Sequence, residues 1–368
     1  MPKEKIVEIS ISGYKSISPD FPVNIKFEKV NILLGANGSG KTNIISFFKM
    51  LNSMIFGEFQ RFVETVGTSQ VFLHNGKKYT QKVEGKLHFK SETHINRYEF
   101  ELTPATPDRL IINSEKIEWG NKDRKLQVDL LESNFKESAL ANDTADDTIR
   151  IIRKILQRCK VYQFHDSSNE SHIRQSSHID INNFLQAKGN NLASFLYRLK
   201  EEFPSNYNRI LSYIRLIMSQ FKDFYFDPNG KGYVSLKWMD IFSNDNILLP
   251  EQFSDGSIRF IALATLLLQP PTTIPNIIII DEPELGLHPF AIVQLAEMIK
   301  EASKHTQVII ATQSPGLVNE FEADQITVIE AENGYSTAQR LDKEELKDWL
   351  EHYSISELWD KNVLGGRP

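Results

Sequence analysis

Eight consecutive residues near the start of this 368-residue chain have the composition to hold a polyphosphate. Gly35-Ala36-Asn37-Gly38-Ser39-Gly40-Lys41-Thr42 fits G-x-x-x-x-G-K-[ST] at every fixed position. Glycines let successive backbone N–H groups turn inward as an anion nest. The N-terminus of the helix that follows the loop adds its partial positive charge, and Asn43 stands at the start of that helix. Lys41 has the reach for β- and γ-phosphates, and Thr42 can offer a hydroxyl to Mg2+. A chance glycine-rich turn is the bland alternative.

A second constellation decides between binding and turnover. Ile277-Ile278-Ile279-Ile280-Asp281-Glu282-Pro283 is an apolar run ending in two adjacent carboxylates. On a strand, neighbouring side chains point to opposite faces. Asp281 is thereby placed to hold Mg2+ through its water shell, and Glu282 to polarise an attacking water as general base. An acidic strand end forming a cap is the alternative. With the phosphate loop present, hydrolysis outranks mere binding.

The elements that position these residues are legible around them. Val30 to Leu34 (VNILL) reads as a strand covered on both faces, and Asn43 to Leu51 as a buried helix. Upstream, Val7, Ile9 and Ile11 alternate with polar residues, as do Val23, Ile25 and Phe27. Phe59, Phe62, Val63 and Val66 have helical spacing, and short antiparallel strands are expected from about 70 to 125. A helix is expected from Thr144, paired with Asp147 as a capping box. Residues 190 to 221 carry two helical stripes broken at Pro204, read as core packing. After 250 the pattern turns α/β: a helix over about 257–268, a strand over 276–280, a helix carrying Ile292, Leu295 and Ile299, and a strand over 308–311. Asn333-Gly334 signals a hairpin.

Composition sets the outer bounds. Lysine and arginine number 42 against 48 aspartates and glutamates, a net charge of −6 that argues against a chain basic all over. One cysteine, Cys159, excludes an internal disulfide framework and any multi-cysteine zinc site. The longest apolar stretch, Ile261 to Leu268, falls far short of the ~20 residues of a membrane span. The opening residues MPKEKIVEIS lack the continuous apolar segment of a signal peptide. A cytoplasmic protein without membrane contact is the expectation.

Phe253-Ser254-Asp255-Gly256-Ser257 precedes a helix and resembles the signature motif of ATP-binding-cassette ATPases. The order of phosphate loop, signature and acidic strand end is also that family's. Leu285-Gly286-Leu287-His288-Pro289 resembles its D-loop, and Ile309-Ile310-Ala311-Thr312-Gln313-Ser314-Pro315 its switch strand. Within that family the soluble RecF, SMC-type and overcoming-lysogenization-defect branch is most similar. The carrying residues are Gly13-Tyr14-Lys15-Ser16, Val161 to Asp166, Glu357-Leu358-Trp359 and Gly365-Gly366-Arg367-Pro368. These resemble a compact ATPase group associated with bacterial defence against phage.

The resemblance implies an α/β cassette head: a mixed-sheet P-loop lobe with an antiparallel β subdomain, a short helical lid and no long coiled coil. It divides the chain at 1–160, 161–250 and 251–368. It implies ATP with Mg2+, held in a sandwich between two copies. Ser254 and Gly256 of one copy face the γ-phosphate gripped by Lys41 of the other. Gln163 becomes the loop glutamine that senses metal and water, with a core-edge amide as alternative, and Lys15 a nucleotide contact or an ordinary turn lysine. Asp255 and Ser257 depart from the transporter signature, adding negative charge near the nucleotide. Gln313 stands where most cassettes place a histidine, so turnover is expected to be slow.

Other constellations carry less. His165, His172 and His178 with Asp166 and Glu170 match no compact metal spacing. Arg150, Arg153, Lys154, Arg158, Lys160, Arg174, Lys188, Arg198 and Lys200 read as a solvated face, with a nucleic-acid backbone as the alternative partner. Trp359 and Leu364 can pack on the chain's own sheet or dock on a partner. Only 53 residues follow Pro315, too few for a fused nuclease domain, so an effector is expected to act in trans. The leading expectation is a dimerising ATPase that regulates a separate nuclease or toxin. A RecF-like DNA-repair clamp and a scaffold with structural ATP are its competitors.

Overall fold

A computed structural model describes residues 5–366 except 92–93, 122–125, 132–135, 143–145 and 169, with backbone alone at 243–245. The chain divides into two compact units, residues 1–160 with 322–368 and residues 161–321. The 161–250 segment thus belongs to the same unit as the helix and strands over 255–312.

In the first unit, the phosphate loop joins the strand Val30–Leu34 to the helix Lys41–Ile55. Every residue of that strand is buried, as its unbroken apolar run requires. It pairs in parallel with Ile326–Glu332, setting Ile32 opposite Ile326 and Leu34 opposite Val328. Ile326–Glu332 then turns through Asn333 and Gly334, both at positive φ, into the antiparallel strand Tyr335–Arg340. That is the two-residue hairpin the Asn-Gly pair specifies.

The same unit holds a six-stranded antiparallel sheet in the order Val23–Lys26, Lys5–Ser12, Val83–Lys90, His94–Ala105, Arg109–Asn121, Gln127–Leu131. His94–Ala105 and Arg109–Asn121 run to 12 and 13 residues, longer than the short strands expected, and stay paired through a register shift at Glu101/Leu102. The Lys41–Ile55 helix buries Ile44, Phe47, Phe48 and Leu51, and Phe47 stacks on Phe100 of the sheet at 5.9 Å. Each such aromatic contributes about 1.5–3 kcal/mol by leaving water.

The helix expected from Thr144 is Asp147–Gln157, capped by Asp146, whose carboxylate accepts the Ile149 N–H at 2.9 Å. Asp146 replaces the expected partner; Thr144 lies outside the described residues.

In the second unit, Ile277–Asp281 pairs in parallel with Gln307–Thr312, both fully buried. The helices Leu192–Glu202, Pro204–Ile217, Asp255–Leu268 and Pro289–Ala302 accompany them. Asp255–Leu268 has Leu263, Leu266 and Leu267 buried, so packing rather than propensity fixes it. A three-stranded antiparallel sheet, Phe221–Tyr225, Lys237–Asp240 and Ser243–Leu248, completes the unit. Among the described residues no helix is long and apolar enough to cross a membrane.

Candidate functional site

The phosphate loop is built to present backbone to an anion. Asn37 and Gly38 form its exposed tip, while Gly35, Ser39 and Gly40 are buried beneath. Gly40 caps the helix at φ 110°, a left-handed conformation that favours glycine. A Cβ there would lie 2.1 Å from Ser336 Oγ and 2.9 Å from Ser16 Oγ, so glycine is required twice over.

Lys41 is 5% exposed, and its Nζ donates to Gly35 O at 2.6 Å and Ala36 O at 2.8 Å. The ammonium is thus folded back over the mouth of its own loop. Thr42 is exposed on the first turn. Ser39 Oγ is buried without a protein partner, a polar atom left over for a ligand or water.

A run of side chains holds this loop in place, and the motif gave no sign of it. Asn43 Nδ2 donates to Ser16 Oγ at 2.7 Å, Ser16 Oγ meets Ser336 Oγ at 2.7 Å, and Ser336 Oγ donates to Ser39 O at 2.7 Å. The Ser336 N–H also donates to Ser16 O at 2.8 Å. The hairpin after Asn333-Gly334 is thereby fastened to the phosphate loop. Gly366 O accepts the Ala36 N–H at 3.2 Å, with Trp359 and Leu364 buried behind it. Of the two readings of that terminus, packing on the chain itself holds.

Lys15 sits at φ 51° beside the loop, its Nζ 5.5 Å from the Tyr14 ring centroid. Burial, then the Lys49 charge, lowers its pKa below the usual lysine value. A cation so placed gains from an approaching anion.

In the second unit the strand Ile277–Asp281 ends in the carboxylates expected of it. Asp281 is buried and accepts Gln163 Nε2 at 3.3 Å, which brings two sequence-predicted residues together. Glu282 turns out of the strand at φ 41° while its N–H donates to Ala311 O at 2.8 Å. Positive φ at a non-glycine costs of order 1–2 kcal/mol. A cavity of about 10 Å3 beside them is lined by His165, Arg259, Asp281 and Glu282 among others, room for about one water.

Glu284 is a third carboxylate that the sequence reading passed over. Thr312 Oγ1 and the Gln313 backbone N–H both donate to it, and one oxygen stays unpartnered. Burial, joined by the Glu282 charge, raises its pKa above the usual carboxylate value despite those bonds. Gln313 itself is half-buried on the residue after the Gln307–Thr312 strand.

The expected signature begins the Asp255–Leu268 helix. Ser254 is exposed and caps it, its Oγ accepting the Ser257 N–H at 3.1 Å. Gly256 packs so near the D-loop-like turn that a Cβ would lie 2.6 Å from Gly286 O. Arg259 binds this corner together, Nη1 donating to Leu285 O at 2.9 Å and Nη2 to His165 O.

The donor chemistry fits the ions implied. A threonine hydroxyl, a carboxylate and an amide oxygen are the hard oxygen ligands Mg2+ takes, with waters completing its shell. Among the described residues no three His, Cys, Asp or Glu gather into a metal site. Of the nine basic residues between 150 and 200, Arg174 is buried, Arg150 pairs with Asp147, Arg198 with Glu202 and Lys200 with Asp223.

A family model described as "AAA domain, putative AbiEii toxin, Type IV TA system" matches residues 30–319. A crystal structure of the SmcHead bound to the C-winged helix domain of ScpA is similar to this chain at TM-score 0.60. The two are 15% identical, with 93% of this chain and 99% of that one covered. The Smc head domain with an extended coiled coil, bound to the C-terminal domain of ScpA from Pyrococcus furiosus, is similar at TM-score 0.55. It is 14% identical, with 95% and 99% covered. No curated protein matches the chain. At such identities the likeness to the Smc heads is one of fold.

Proposed function

The chain belongs to the AAA_21 family and carries a P-loop ATPase domain with an SMC-head-like fold, and on that premise we propose that it is a dimerising, ATP- and Mg2+-dependent switch. Lys41 and the loop amides hold the β- and γ-phosphates of ATP. Thr42, Asp281 and Gln163 would hold Mg2+, which would supply positive charge to offset that of the phosphates. Ser254 and Gly256 of a second copy close over the γ-phosphate.

The observation that carries this reading is the Lys41 ammonium, buried and bonded to Gly35 O and Ala36 O at the mouth of a positive-φ glycine loop. A buried cation resting on two carbonyls is poised to exchange them for phosphate oxygens, a charge-assisted bond of about 1.5–3 kcal/mol. Glu282 accepts a proton from water as its oxygen bonds to the γ-phosphorus, and the bridging P–O bond breaks toward ADP. Gln313 orients that water or phosphate without carrying a proton, which suits slow turnover.

The closed pair regulates a separate effector, a nuclease or toxin, in defence against phage. The family's description places its members with a type IV toxin–antitoxin system, the kind of two-component setting in which such a switch would act. In the closed state the differential contacts belong to ATP, and hydrolysis removes them.

Glu282→Gln tests the reading. That variant should bind ATP, lose about 10²–10⁴-fold in hydrolysis and accumulate as a dimer in sedimentation. Lys41→Ala should lose both nucleotide and dimer. Hydrolysis by Glu282→Gln at the wild-type rate would contradict the assignment of the base.

A further inference from the structure

Arg174 lies on the one-turn helix His172–Arg174 with 2% of its side chain exposed, a cation taken almost wholly out of water. Its Nε–H donates to Ser167 O at 3.0 Å and its Nη1 to Pro250 O. Its Nη2 donates to Phe253 O at 3.1 Å and to Asp255 Oδ1 at 3.1 Å. Three of these four acceptors belong to residues 250–255, the segment that delivers Ser254 to the head of its helix. On the same segment the Phe253 ring stacks on Trp238 at 5.1 Å.

Asp255 is the residue that sets this helix start apart from the glycine of the transporter signature. Its carboxylate is 67% exposed on the first turn, beside Ser254. Alone, that charge would oppose any triphosphate brought to the same turn. Paired with a buried guanidinium, the Asp255 charge is offset, and the helix N-terminus keeps its attraction for anions.

We propose that Arg174 is a positioning residue that fixes the Ser254 turn and neutralises Asp255, so that a signature bearing a carboxylate still accepts the γ-phosphate of a partner copy. This rests on the sandwich reading of the preceding subsection. The residue acts through Ser254 and Asp255 and touches no nucleotide itself.

The full chain carrying Glu282→Gln is sedimented across an ATP·Mg2+ titration, alone and with Arg174→Gln, Asp255→Asn, or both. ATP affinity of the separate protomer is read in parallel with a fluorescent ATP analogue, and thermal melts check folding. Arg174→Gln should raise the ATP needed for half-dimerisation about tenfold or more while leaving protomer affinity unchanged. Adding Asp255→Asn should recover the part of that loss due to the uncovered carboxylate, at least about threefold, which a merely structural role for Arg174 does not predict. Asp255→Asn alone should dimerise at the same or lower ATP.

A double variant as impaired as Arg174→Gln would overturn the proposal. So would a tenfold weakening by Asp255→Asn alone, a result readable even if Arg174→Gln fails to fold. If the Glu282→Gln chain forms no ATP-dependent dimer at all, the sandwich reading fails, and this inference falls with it.

Discussion

Gly256 and Gly286 approach so closely that a Cβ on Gly256 would lie 2.6 Å from the Gly286 carbonyl oxygen. The first turn of the Asp255–Leu268 helix therefore rests directly on the turn that follows Glu282-Pro283-Glu284. Arg259, donating to Leu285 O, binds the two from the other side. A ligand that moves the helix start is therefore expected to move the turn after Asp281 and Glu282 with it.

Gly256→Ala should accordingly destabilise the protein before any nucleotide is added. Overpacking against a backbone oxygen costs about 1–3 kcal/mol, readable as a lower melting temperature in nucleotide-free protein. An unchanged melt would mean that the approach relaxes freely and that glycine serves a ligand alone.

Ser336→Ala removes the hydroxyl that bridges Ser16 Oγ and Ser39 O. A bond of this kind is worth about 0.5–1.5 kcal/mol, and the Ser39 carbonyl is left buried without that donor. ATP affinity should fall several-fold although Ser336 lies 297 residues from Ser39 in sequence. Affinity equal to wild type would show that the loop keeps its shape without the hairpin.

Glu284 gives the protein a pH signature. Burial raises its carboxyl above the ordinary value of 4.5, so the folded state holds its proton where the unfolded state has lost it. Stability from this group is full below 4.5 and declines as pH rises through the raised native value, since the native state binds more protons over that window. Glu284→Gln, whose amide carries no charge at any pH, should lose that decline. The check is the difference in unfolding free energy between the two proteins, measured by urea titration across pH. A difference that stays constant with pH would contradict the assignment.

The positions of the candidate site residues were legible because each lies at the end of an element with a strong local pattern. Val30–Leu34 and Ile277–Asp281 are unbroken apolar runs, and only a covered parallel strand accommodates them. Lys41 and Asp281 follow from where those runs stop. What holds the residues was not legible, because it depends on pairs distant in sequence. Arg174 read as one of nine surface cations, and only the fold brings Pro250, Phe253 and Asp255 around it. Glu284 drew no reading from sequence, because the Thr312 hydroxyl that bonds it lies 28 residues further on. The cap of the Asp147–Gln157 helix was misplaced by two residues because both Thr144 and Asp146 are good cap types, and local sequence does not rank them.

The decisive measurement is the position of Ser254 in a structure of the Glu282→Gln protein with ATP and Mg2+. Its hydroxyl, now spent on its own helix cap, should lie about 3 Å from a γ-phosphate oxygen of the nucleotide held by Lys41 of the second copy. A nucleotide-filled site with Ser254 facing solvent, and Lys41 and Ser254 sharing no triphosphate in any assembly, would contradict the account at its centre.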